Sequence, residues 1–215
     1  MFPPDKLDST PTDVFFATCS AVPGIYHDTD LLRAGLLPRP AISQLRHRLR
    51  CTLDSLHAWI ASLPSGWQSD GKTTPLVALR HAVILNLHQE CQLLNVSILP
   101  AGLASSAPVA QDSASSHSCS SSVSVDTASA LREQEATFKH ALALQVFELA
   151  RDKLAQPATF PGIFIFILPV RSAADHLDPL DQEARKLRDH VKAQLIGDHG
   201  FGIVKMREVR MPDSC

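Results

Sequence analysis

Ile42 to Leu63 reads ISQLRHRLRCTLDSLHAWIASL. Ile42, Leu45, Leu49, Leu53, Leu56, Trp59 (with Ile60) and Leu63 recur at three- and four-residue steps. That period stacks them along one side of an α-helix about six turns long. Pro64-Ser65-Gly66-Trp67 then stops the helix. The same period returns further on. Leu76, Leu79, Val83, Leu87 and Leu94 mark the main face of a helix that starts at Thr73 or Thr74 with Pro75 and runs to about Ser97, with His81, His88, Gln92 and Asn95 in an opposite stripe. Leu131, Phe138, Leu142, Val146 (with Phe147), Leu149 and Leu154 line a third helix that resumes near Ser129. Leu180, Ala184, Leu187, Val191 and Leu195 stripe a charged helix over 179–196, with Asp181 and Arg185 as an i, i+4 pair. No run alternates with period two long enough to make a strand. The fold expected is all-α, an irregular multi-helix domain.

The boundaries follow from composition. Residues 1–12 are polar and rich in proline and are expected to be disordered. A helical domain then covers 13–211, interrupted at 104–129 by a serine-rich insert. That insert holds eleven serines and no aromatic residue, too little apolar surface to offset the entropy lost on ordering. Between Asp13 and Leu37 one or two short helices are expected, with Pro23-Gly24 as a turn and Asp28-Thr29-Asp30 capping a helix through Arg33. Residues 160–177 read as a buried core helix. Its apolar run from Pro161 to Pro169 is too short to cross a bilayer, so no membrane partner is expected.

Charge and cysteines narrow the function classes. The net charge is −2, and the signs are evenly spread: residues 1–100 carry eight acidic and eight basic side chains, residues 101–215 fourteen and twelve. Neither a nucleic-acid nor a membrane footprint is visible in that balance. Cys19, Cys51, Cys91, Cys119 and Cys215 contain no C-x-x-C pair, which fits reduced thiols better than a disulfide framework or a zinc site. Met1-Phe2-Pro3-Pro4-Asp5-Lys6 has no basic segment leading into an apolar one, so it does not read as a signal peptide.

The search for chemistry returns no catalytic, cofactor or metal residue. A helical zinc site pairs ligands at i, i+4, whereas His81, His88 and Cys91 do not, and they read as a polar or half-buried helix face. There is no G-x-S-x-G elbow and no glycine-rich phosphate loop. Arg46, Arg48 and Arg50 with His47 form the densest basic cluster, and are expected to lie over the edge of the core rather than on phosphates. The serine insert reads as a tolerated surface loop, with phosphorylation as its functional alternative.

Two separated segments carry a family resemblance. Leu56-His57-Ala58-Trp59-Ile60-Ala61-Ser62-Leu63-Pro64-Ser65-Gly66-Trp67 is similar to an L-x-x-W-x-x-x-L-P-x-x-W segment. About a hundred residues on come Ile165-Phe166-Ile167-Leu168-Pro169-Val170-Arg171-Ser172-Ala173-Ala174, Glu183-Ala184-Arg185-Lys186-Leu187 and Gly200-Phe201-Gly202-Ile203. These stand where a buried LFPLRVA-like helix, an EARWL-like helix and a GF-I segment occur in the middle-homology region of fungal zinc-cluster (Zn2Cys6) transcription factors. Leu87-His88-Gln89-Glu90-Cys91 occupies the place of that family's L-H-x-x-Y-like motif without its aromatic residue. The resemblance spans roughly 42–211 and skips the insert. It implies a regulatory portion in the nucleus, working through protein partners or a small-molecule effector. The family's six-cysteine DNA-reading head is not in this sequence, so direct DNA contact is not expected. A helical adaptor and a small helical enzyme with a histidine-lined pocket are the alternatives from other classes.

Overall fold

The computed structural model describes residues 10–67, 72–100, 123–155 and 164–197, with the side chains of the third stretch described from Ser129 on. There is no strand among the described residues. Seven helices follow in order: α1 (Pro11–Cys19), α2 (Val22–Arg33), α3 (Arg39–Ala61), α4 (Thr73–Leu94), α5 (Val123–Leu154), α6 (Phe164–Ala174) and α7 (Gln182–Gly197). The chain is all-α.

The middle of the molecule is α4. It packs against α1, α3, α5 and α6, while α2 covers α3 and α7 covers α5. Its buried residues include Val77, Ala78, Ala82, Ile84, Leu85, Leu87, Cys91 and Leu94, which cover more than one face. A helix apolar all round belongs in an interior. Of the expected main face, Leu87 and Leu94 are buried but Leu76, Leu79 and Val83 only partly so, and His81 and His88 are buried instead of lying on a polar stripe. Neighbours on several sides override a one-sided pattern. The helix also stops earlier than expected, at Leu94, because Asn95 takes the left-handed conformation (φ 51°) that ends helices. Arg46 Nε donates to the carbonyl of Leu94 (2.8 Å) and Arg50 Nη1 to that of Ser97 (3.1 Å). Arg48 pairs with Asp28 on α2. The basic cluster of α3 thus serves the end of α4 and the side of α2.

The other helices shift the expected boundaries. α1 begins at Pro11, inside the stretch expected to be disordered, because Thr10 and Asp13 close a reciprocal capping box and Pro11 opens the first turn. α2 starts at Val22, so Pro23-Gly24 lies in its first turn and Asp28-Thr29-Asp30 within it; proline needs no donor there. α5 starts at Val123, within the 104–129 insert, and Leu131 is 36% exposed on it. Residues 101–122 of the insert, residues 1–9, and the Gly200-Phe201-Gly202-Ile203 segment lie outside the described residues. α6 is half-buried: Phe166, Val170 and Ala173 face the core, while Ile165 and Leu168 are 43% and 55% exposed. Asp181 does not pair with Arg185 through its carboxylate. It caps α7, accepting from the backbone N–H of Glu183 (2.9 Å) and Ala184 (3.0 Å), and leaves Leu180 outside the helix and 81% exposed.

Trp59 ties α1 to this core. Its ring is buried beside Phe15, and Nε1–H donates to the carbonyl of Pro11 at 2.6 Å. Trp59→Phe strands that carbonyl and opens space beside Phe15. The variant is expected to lose about 2 kcal/mol, read as a lower urea midpoint. An unchanged midpoint would mean α1 is not held through this contact.

Candidate functional site

Two clusters of polar side chains lie inside the bundle, each beside a pocket. The first centres on Arg80, which is 5% exposed. Its guanidinium donates from Nε to the carbonyl of Leu56 (2.7 Å), from Nη1 to His81 Nδ1 (2.9 Å) and from Nη2 to His57 Nδ1 (3.2 Å). His57 Nε2 in turn donates to the carbonyl of Ile98 at 3.0 Å. Because both Nδ1 atoms accept, both imidazoles are neutral and carry their proton on Nε2. None of these three partners is a carboxylate, so a cation is buried against neutral groups. Burial lowers Arg80 to about 10, still charged at neutral pH. Burial, with the Arg80 charge adding to it, pushes His81 down to about 3 and lowers His57 as well.

His81 also lines a pocket of about 450 Å3 between the end of α3, the first half of α4 and the last third of α5. Ile60, Trp67, Val77 and Leu149 give it apolar walls, and Gln145, which hydrogen-bonds His81, lines it together with the charged Glu148, Asp152 and Lys153. A mostly apolar cavity with a few convergent polar groups is the common form of a small-molecule site.

The second cluster joins α4, α5 and the segment after α6. Lys139 Nζ donates to His88 Nε2 at 2.9 Å, and the His88 and His176 rings meet edge to face with centroids 6.0 Å apart. Burial lowers all three groups, and for His88 and His176 the Lys139 charge lowers them further. Lys139 and His176 line a pocket of about 430 Å3 together with Thr137 and His140. His140 is fixed beside it, accepting at Nδ1 from the N–H of Asp178 (2.9 Å) and meeting Asp181 through Nε2 (3.2 Å).

Compared with protein-family models, with curated proteins and with solved structures, this chain matches none of them.

The structure does not bring His81, His88 and Cys91 to a common point. His81 serves Arg80, His88 serves Lys139, and the buried Cys91 thiol is pushed up to about 12, mainly by burial. Among the described residues no group of three or more His, Cys, Asp and Glu side chains is placed to hold a metal ion, and no helix is long and apolar enough to cross a membrane. Sequence reasoning missed a pair that was in plain sight: His47 and Cys51, at i, i+4 on the exposed side of α3, with Sγ 3.5 Å from Nε2. It also missed Lys139 and His176. Nothing local announces them, since they meet His88 only through tertiary packing.

Proposed function

We infer that this chain is a helical regulatory domain without catalysis of its own, resembling the middle-homology region of fungal zinc-cluster transcription factors. It acts in the nucleus through protein partners and a bound effector, and leaves DNA contact to another module. The observation that carries the reading is the pocket walled by Trp67, His81 and Leu149, where α3, α4 and α5 meet. An occupant there touches three helices at once and biases how they pack, which is how a ligand shifts a regulatory equilibrium. The segment from Leu56 to Trp67 that carries the resemblance supplies Trp59 to the core and Trp67 to this pocket. A dimer interface along Ile42–Leu63 would favour the adaptor alternative; Leu45, Leu49, Leu53 and Leu56 of that stretch are buried in the chain's own interior.

The test is a fusion of the chain to a foreign DNA-binding module, scored for nuclear accumulation and for a reporter response. A silent, cytosolic fusion removes the transcription reading. Leu149→Trp fills the pocket at a cost of about 1 kcal/mol, and should alter the reporter response while the thermal melt stays cooperative. If the filled variant reports as the parent does, the pocket is not the regulatory element.

A further inference from the structure

We propose that Lys139 is a covalent capture site for small, uncharged aldehydes, held as an imine in the pocket between α5 and the segment after α6. The inference stands apart from the regulatory reading, because it concerns the other pocket. Three observations meet there. First, the amine sits 2.9 Å from His88 Nε2, and it donates that bond, so the ring nitrogen has a lone pair aimed at the amine's protons. Second, the ring of His176 packs edge-on against that of His88. Nucleophile and base therefore stand within hydrogen-bond reach, with the His176 ring packed against the base, and an adjacent base is one way an amine is activated. Third, the amine borders an open volume of about 430 Å3, enough for a ligand of several carbon atoms.

Burial lowers the amine from its ordinary value, which increases the neutral fraction at a given pH. Glu135 acts on Lys139 through its charge, and its carboxylate is engaged with the Ser97 hydroxyl (2.8 Å) and the N–H of Ile98 (3.3 Å). By contrast, Lys186 on α7 is exposed and paired with Glu183 at 2.7 Å, and that pairing raises it.

The chemistry closes without an added reagent. The Lys139 ammonium gives one proton to His88 Nε2. The freed lone pair attacks the carbonyl carbon, a C–N bond forms, and the C=O π pair moves to oxygen. A proton passes from nitrogen to that oxygen, giving a carbinolamine. His88 then returns its proton to the hydroxyl, the C–O bond breaks, water leaves, and the nitrogen lone pair completes the C=N bond. One aldehyde and one ammonium become one iminium ion and one water. Glu133, Asp175 and Asp178 line the same pocket, and their carboxylates disfavour an anionic carbonyl compound such as a keto acid.

Incubating the whole chain with pentanal, reducing with cyanoborohydride and mapping the alkylated peptides by mass spectrometry measures capture at each lysine. At neutral pH, Lys139 is expected to be alkylated several-fold faster than Lys186, because burial lowers the first amine and pairing with Glu183 raises the second. His88→Gln keeps an acceptor for Nζ but removes the base, and should bring the Lys139 rate down toward that of Lys186. If that variant does not fold, the pH profile of the parent decides: the Lys139 rate should level off at lower pH than the Lys186 rate. The Lys139-to-Lys186 ratio should also fall when glyoxylate, an anionic aldehyde, replaces pentanal. A Lys139 rate no higher than that of Lys186, an unchanged rate in folded His88→Gln, or coincident pH profiles would each overturn the proposal. An equal or higher ratio with glyoxylate overturns the assignment of an uncharged ligand.

Discussion

Arg80→Met is expected to cost about 3 kcal/mol, a large part of the stability of a domain this size. Methionine fills much of the volume but supplies no donor. His57 Nδ1 and His81 Nδ1 would then be left without their partners in the interior. Each stranded acceptor costs about 1–3 kcal/mol. The loss is reduced because a buried guanidinium is itself expensive to desolvate, and that expense disappears with it. The net sign is still destabilising, since the network spans α3, α4 and the segment after α4 through Leu56, His57, His81 and Ile98. Urea unfolding followed by circular dichroism measures the loss directly. Arg80→Lys keeps the charge but not the planar fork that reaches three acceptors, so it should fall between parent and methionine variant. Parent-like stability in Arg80→Met would show that the buried cation and its network contribute nothing net to the fold.

Acid should unfold this protein unusually early, and the sign can be worked out from the histidines. His57, His81, His88 and His176 all lie below their ordinary value of 6.5 in the folded chain, each chiefly through burial. A group lowered in this way binds its proton more readily once the chain unfolds. Protonation therefore favours the unfolded state. The contribution is full above about pH 6.5 and is lost as the pH falls toward the folded values. For His81, at about 3, the window extends across several units. Its slope is about 1.4 kcal/mol per pH unit, so this one residue removes about 2 kcal/mol between about pH 6.5 and pH 5. The other three add to it in the same direction. Urea midpoints at a series of pH values test this, with His81→Gln as the informative variant. Glutamine retains an acceptor for Arg80 and does not titrate, so the slope below pH 6.5 should flatten by close to one proton. Stability that is level from neutrality to pH 5 would contradict the burial of these rings.

How far the sequence could be read differs between helices, for physical reasons. α3 and α7 each bury one stripe, and a 3.6-residue period reports most of it: Leu45, Leu49, Leu53 and Leu56 are buried where expected, as are Ala184, Val191 and Leu195, while Leu180, expected on the α7 stripe, lies outside the helix and exposed. The packing of α4 was less legible because neighbours cover more than one of its faces, and burial then no longer follows a single period. Boundaries were set by caps that a periodicity search does not weigh, such as the Thr10–Asp13 box and the left-handed Asn95. The sites were nearly silent. Arg80 next to His81 gives no sign that His57 will come to its other side. Lys139 and His88 are 51 residues apart, and only the docking of α5 on α4 makes them partners. Only His47 and Cys51 had a local signal, a spacing that places both on one side of a helix.

The central position of α4 has a consequence for how the chain comes apart. Its walls are supplied from both directions along the sequence, by α1 and α3 before it and by α5 and α6 after it. Neither half of the chain can keep α4 out of water without the other. Partial opening that strips one side exposes Leu85, Leu87 or Ile84 together with the polar groups of Arg80 and His81, so half-measures are penalised twice. The halves on either side of the serine-rich stretch are thus one cooperative unit, assembled and lost together.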